Sequence, residues 1–249
     1  EKENIEIITM LLSNENLDIN IPSKRTRNWK WGGDGDEAQQ SKEIIKSALC
    51  VAVEKKNINV IQLLLSQKNL DVNYINKFNK LVFKHDYYKG DQISLDIDYK
   101  RNKTSLCIAV ENEDIEIIKL LLSHKDIDAN IHYKYDRIWN YSTDLYNHLL
   151  VDCNCEEYKN RTEKKSILCI AIEKENIEIV KLIVSFKNLD INIIGHSVEE
   201  KWRKSTDDEE LESTNNIKYT SLFTAVEKGN IEIVKLLLSN NSLDINAKS

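Results

Sequence analysis

Long apolar runs are missing from this chain of 249 residues. No stretch approaches the ~20 apolar residues that a membrane-spanning helix needs, and no secretory leader is visible at the start. Reactive arrangements are missing as well. There is no G-x-x-x-x-G-K-[ST], no G-x-S-x-G, no H-E-x-x-H, and no Cys in a thiol-protease setting. The five His (His85, His124, His132, His148, His196) fall in no spacing that recruits a second ligand or base. No enzyme is therefore expected, and no cofactor or bound metal. The five Cys are an odd number, which suits a reduced, cytoplasmic protein better than a disulfide framework. Glycine and proline are scarce, at six and one, while Asn, Lys and Ile abound, as an AT-rich coding sequence would give. A net charge of −6 disfavours nucleic acid and anionic membrane as general partners.

What the chain has instead is repetition. Thr104–Asn130 reads TSLCIAVENEDIEIIKLLLSHKDIDAN, and close copies begin at Ser47, Ser166 and Thr220. The second half of the same unit opens the chain, and a repeated unit dictates architecture. In the Thr104 copy, Leu106, Ala109 and Val110 share one face of a short helix. Ile115, Ile118, Leu121 and Leu122 share a face of a second, widened by Ile117 and Leu120. Neither helix is long enough to persist alone in water, so each must bury that face against neighbours. Thr104 is placed to cap the first helix, and Asp114 the second, as are Asn57, Asn176 and Asn230. Cys50, Cys107 and Cys169 fall at one equivalent position, where a small buried thiol packs well.

This unit resembles the ankyrin repeat. The T-P-L-H-x-A-A opening of that family matches Thr104-Ser105-Leu106-Cys107-Ile108-Ala109-Val110, and its G-H-x-E-V-V-K-L-L-L helix is nearly verbatim from Gly229 to Leu238. Its A-D-V-N ending becomes Leu243-Asp244-Ile245-Asn246. The phrasing further resembles the expanded ankyrin families of parasitic protozoa such as trichomonads. The Pro of the opening is absent throughout, and the inter-helix Gly survives only as Gly229, with Lys56, Glu113 and Glu175 elsewhere. If that position needs a positive φ, each replacement costs on the order of 1 kcal/mol. The resemblance implies an all-α solenoid of stacked helix–turn–helix units, with repeat cores at about 1–20, 46–73, 103–130, 165–192 and 219–246. The start at an inter-helix turn suggests a segment of a longer array.

The period does not match the family. Ankyrin units recur every 33 residues or so, yet the second-helix caps here are 57, 62 and 54 residues apart. Four insertions, at about 21–45, 74–102, 131–164 and 193–218, lie where the family places its β-hairpin fingers. All four should project from one edge of the stack. Tyr74–Asn102 reads as a long hairpin, because Ile93, Leu95, Ile97 and Tyr99 alternate with polar residues. The first insertion runs from Trp29 and Trp31 into a flexible Gly32–Asp36 loop, the third suggests a helical turn at Asp144–Leu150, and the acidic Ser205–Asn216 reads as disordered.

All four Trp and nine of ten Tyr lie in the insertions. Large rings there give contact area at small entropic cost, so Trp29, Trp31, Tyr87, Tyr88, Trp139, Tyr141 and Trp202 are candidate anchors for a protein partner. Mutual packing that stiffens the fingers is the rival reading. Glu54, Glu111, Glu173 and Glu227 recur near the end of each first helix, which the resemblance places on the concave face. They form a carboxylate ladder, either simply solvated or favouring a basic partner. His148, Asp152, Cys153 and Cys155 are the one cluster with any likeness to a metal site, and C-x-C is shorter than structural zinc spacing. The triplets at Asn102, Asn140, Asn160 and Asn240 read as chance matches to glycosylation sites. A protein-binding scaffold is expected, using the concave groove and the fingers. The alternative is a ligand- or metal-binding protein or enzyme near Cys153 and Cys155, and self-association is a third outcome. Scaffold and fingers should separate in stability: Leu120→Asp should unfold the chain and Trp139→Ala should not.

Overall fold

The computed structural model describes residues 2–31, 37–88, 91–144, 155–204 and 209–247, with the backbone alone described toward the hairpin tips. After α1 (Lys2–Leu12) come four blocks, each a β-hairpin followed by a pair of short helices. They are β1 (Ser23–Trp31), β2 (Glu37–Lys46), α2 (Ala48–Glu54) and α3 (Ile58–Leu65); then β3 (Asn76–Tyr88), β4 (Asp91–Lys103), α4 (Ser105–Glu111) and α5 (Ile115–Leu122). The third block is β5 (Tyr133–Asp144), β6 (Cys155–Lys165), α6 (Ile167–Glu173) and α7 (Ile177–Val184). The fourth is β7 (Gly195–Lys204), β8 (Glu209–Tyr219), α8 (Ser221–Lys228) and α9 (Ile231–Leu238).

The first helices α2, α4, α6 and α8 stack in one row, and α1, α3, α5, α7 and α9 in a second. Ile117, Ile118 and Leu121 of α5 are buried, whereas α4 is buried from Ser105 to Val110 because it is covered on both sides. Leu120 lies only half-buried beside that core. Ile118 and Leu121, fully buried in the same helix, are stricter positions than Leu120 for the expected unfolding by Asp. Ser47, Thr104, Ser166 and Thr220 each accept a hydrogen bond from the backbone N–H three residues on. Asn57, Asn176 and Asn230 do the same for the second helices. Asp114 does not. Its Oδ1 is drawn instead to Lys56 Nζ at 2.8 Å in the preceding unit. Lys56, Glu113 and Glu175 stand at φ of 53, 58 and 57°, matching Gly229 at 70°. The inter-helix turn is therefore left-handed in each of the four complete units, and three of the four pay side-chain strain for it.

The D-x-N tails tie the units together. Asn130 Nδ2 donates to Asn188 O and its Oδ1 accepts from Asp190 N, both at 2.8 Å. Asn20, Asn73 and Asn192 repeat that pair of bonds at their own joints. The preceding Asp shapes each tail by accepting from the Asn backbone N–H.

The fingers correct the all-α expectation. They do not stand apart; they pair into one antiparallel sheet of eight strands in the order β1 to β8. The fold is therefore mixed, helix pairs on one side and a continuous sheet on the other. Spacing explains it. Two strand separations come to about 9.6 Å, and stacked helices sit about 8–10 Å apart, so successive hairpins arrive at pairing distance. Glu209–Asn216 lies within β8, paired with β7, which overturns the expected disorder there; 205–208 lie outside the described residues, as do Gly32–Asp36 and 145–150.

Candidate functional site

Strand parity gives the sheet two faces, and one of them curves over the first helices. The last residue of each second strand decides how. Lys46, Lys103 and Lys165 lie at the bases of β2, β4 and β6, eight residues before Glu54, Glu111 and Glu173. Each lysine reaches its glutamate. Lys165 Nζ is 2.7 Å from Glu173 and 3.1 Å from Glu163, and Lys46–Glu54 and Lys103–Glu111 are closer still. Burial alone would lower the pKa of Lys165, but the hydrogen bond and charge of Glu173, with Glu163, outweigh it and the net direction is upward. The carboxylate ladder is consequently neutralised at three of its four rungs. Glu227 is the exception, because Tyr219 stands where a lysine would be, and Glu227 is exposed with no ion pair among the described residues.

Aromatic rings complete the base of this surface. Lys46 lies over Phe78 at 5.0 Å and Lys103 over Tyr133 at 5.1 Å. Burial pushes the Tyr133 phenol above its usual range. One row higher, β4 and β5 exchange ring and cation: Tyr99 faces Arg137 at 4.9 Å and Arg101 faces Tyr135 at 5.3 Å. Each contact contributes about 0.5–1 kcal/mol where exposed. A concavity of about 620 Å³ opens between sheet and helices, bounded by Lys42, Phe78, Lys80 and Arg101 on one wall and Glu54 and Glu111 on the other. A second, of about 710 Å³, follows along the groove beside Tyr133, Tyr135 and Glu173.

Of the candidate aromatic anchors, Trp29 in β1 is exposed. For Trp31, Tyr87, Tyr88, Trp139, Tyr141 and Trp202 the backbone alone is described. Trp31 pairs with Ala38, Tyr87 with Gln92 and Tyr88 with Asp91; Trp139 stands between Ile97 and Lys159, Tyr141 between Leu95 and Glu157, and Trp202 between Tyr158 and Leu211. Trp29, Trp31, Tyr88, Trp139 and Tyr141 fall at register positions of one parity, Tyr87 and Trp202 at the other. The sequence reading missed the lysine that precedes every paired glutamate. The eight-residue spacing repeats three times and was available as a signal.

Cys50, Cys107 and Cys169 are buried and free. Desolvation pushes Cys50 up to about 12, with the charge of Glu54 adding to it, and raises Cys107 likewise. Cys50 and Cys107 are packing residues held as neutral thiols, and Cys169 is buried at the equivalent position. Among the described residues no three His, Cys, Asp or Glu side chains gather as metal ligands. His148, Asp152 and Cys153 lie outside the described residues, and Cys155 is described by its backbone alone.

Comparison with known proteins agrees with this geometry. A family model described as "Ankyrin repeats (3 copies)" matches residues 137–249, and one described as "Ankyrin repeat" matches residues 101–134. No curated protein and no solved structure matches the chain. No helix among the described residues is long and apolar enough to cross a membrane. Ankyrin repeats typically serve as protein–protein interaction modules and are generally non-catalytic. With five copies of the unit, paired helices in two stacked rows and a hairpin ahead of each complete pair, the chain belongs to the ankyrin repeat proteins.

Proposed function

We propose that this protein is a non-enzymatic scaffold that grips a protein partner between the concave groove and the enlarged hairpins. One observation carries the reading: the hairpins join into a single sheet that extends the groove wall far beyond the helices. A sheet of that size offers a rigid platform, and rigid platforms bind with less entropy lost than separate loops. Trp29, Trp31, Tyr88, Trp139 and Tyr141, at register positions of the groove-face parity, would serve as anchors, with Tyr87 and Trp202 at positions of the other parity. Glu227, unpaired at its end of the ladder, is better placed to meet a cation than Glu54, Glu111 or Glu173. Capture of partners from the native cell tests the proposal, comparing the chain with a Trp29→Ala/Trp139→Ala variant. The variant should lose partners that the unaltered chain retains; identical lists would reject the anchors. The competing ligand or metal site around Cys153 and Cys155 is tested by elemental analysis of the purified protein.

A second reading, self-association, has its own observation. Val226 and Phe223 of α8 and Ile7 and Leu11 of α1 are exposed apolar residues at the two ends of the stack. Such surfaces would meet in a second copy.

A further inference from the structure

We propose that the groove face of the sheet docks an acidic polypeptide segment, laid across the strands along a row of cations. The proposal rests on the protein-binding reading above and names the chemistry of the partner. The row follows directly from strand register: Arg27 in β1 stands opposite Lys42, Lys42 opposite Lys80, and Lys80 opposite Tyr99. Tyr99 stands opposite Arg137, and Arg137 opposite Arg161 in β6. Five cations thus occupy one line across six strands, interrupted once by a ring that carries the Arg137 guanidinium. The line stops at β7, where Glu199 faces Arg161.

Like charges directly opposite one another destabilise a sheet, so this row costs the fold something. The opposite face shows that the same strands can do otherwise. There Lys24 pairs with Glu43 at 2.6 Å, Lys100 with Asp98 at 2.7 Å and Lys134 with Asp136 at 2.8 Å. On the groove face Arg27, Lys42 and Lys80 are exposed and make no ion pair among the described residues. Arg161 has Glu163 at 3.9 Å on the same strand, but a chain of net charge −6 that sets Arg27, Lys42 and Lys80 side by side with no ion pair among the described residues presents these three to something negative.

Geometry and chemistry narrow the occupant. Strands about 4.8 Å apart put Arg27 and Arg161 about 24 Å from each other, the span of about seven residues of extended chain. Guanidinium groups take carboxylates in paired hydrogen bonds, which favours a segment carrying several acidic side chains. A polynucleotide suits the site less well. The row is short and stops at Glu199, so a long polyanion would run on past it, and the net charge of the chain repels it.

The test is fluorescence anisotropy with a labelled oligoglutamate of about ten residues, set against oligolysine and oligouridine of equal length. Oligoglutamate should bind, weaken as salt rises, and be lost by about tenfold or more in Lys42→Glu/Lys80→Glu. The same charge change on the other face, Lys77→Glu/Lys218→Glu, should alter affinity by less than about twofold. Lys42→Glu/Lys80→Glu puts two carboxylates opposite one another in place of two ammonium groups and turns the Arg27 contact attractive, so its melting temperature should change little, which separates lost binding from lost fold. Absence of oligoglutamate binding, equal loss in both double variants, or tighter binding of oligouridine would each overturn the proposal. A native partner captured equally by the chain and by Lys42→Glu/Lys80→Glu would overturn it too, while leaving the protein-binding reading intact.

Discussion

Tyr219 shows how a single residue adjusts a repeat to its neighbours. Lysine holds that position in three hairpins, but here a ring lies across Gly195 and its hydroxyl donates to Lys164 O at 3.2 Å. A Cβ on Gly195 would sit 2.2 Å from Tyr219 Cε2, too close without moving the ring. Gly195→Ala should therefore cost about 1–3 kcal/mol, read as a lower melting temperature. Gly195→Ala/Tyr219→Lys, which restores the lysine pattern toward Glu227, should recover part of it; equal losses in both would reject the steric account. The thiols give a second prediction. The pKa values of Cys50 and Cys107 are raised in the folded chain, so stability from keeping these two neutral is fully present below pH 9, the ordinary thiol value, and is lost as pH climbs toward 12. Melting temperature should fall between pH 8 and 10.5, and by less in Cys50→Ala/Cys107→Ala. Cys50 and Cys107 of the native protein should resist a thiol reagent at pH 8, read residue by residue by mass spectrometry; rapid labelling of these two would mean that the cores open readily.

At the scale of elements, the helix pairs were readable because their information is local. Leu106, Ala109 and Val110, or Asn57 three residues before Val60, state a helix within a few positions. The sheet was not readable in the same way. β6 is CEEYKNRTEKK and β8 is EELESTNNIKY, segments whose charge and Asn content argue against strand. They pair because the helix stack delivers them to adjacent hairpins, a constraint set by three-dimensional spacing rather than composition. The face that the groove presents depends on that register too, so the cation row has no signature along the chain. Joints between units likewise escaped notice, although the D-x-N tail was plain. Asn130→Ala removes two bonds across a joint, one of them from a backbone N–H, and should cost about 1–3 kcal/mol. Asn246→Ala is the control, since its side chain makes no hydrogen bond among the described residues. Comparable melting shifts in the two variants would show that the asparagines shape turns and do not link units.

For the whole molecule, what matters is which surfaces the stack leaves open. Stability in such arrays comes from contacts between neighbouring units, and interior positions show how complete those contacts are. Val110 and Ile172 are fully buried, but the equivalent Val226 is 60% exposed; Leu121 is fully buried, and its counterpart Leu11 is 55% exposed. Helices α1 and α8 therefore present the same residue types that the helices between them hide. Burying a few such side chains at ~1.5–3 kcal/mol each suffices for weak association, opposed by the rigid-body entropy of bringing two chains together. Sedimentation velocity over a range of concentrations should show the average coefficient rising with concentration, and Leu11→Lys/Val226→Lys should hold it at the monomer value. Because both positions are exposed, that variant should melt where the unaltered chain does, unlike Leu121→Asp, which places a charge in the core. A single species at every concentration would reject association through α1 and α8, and leave the groove face as the surface proposed to meet a partner.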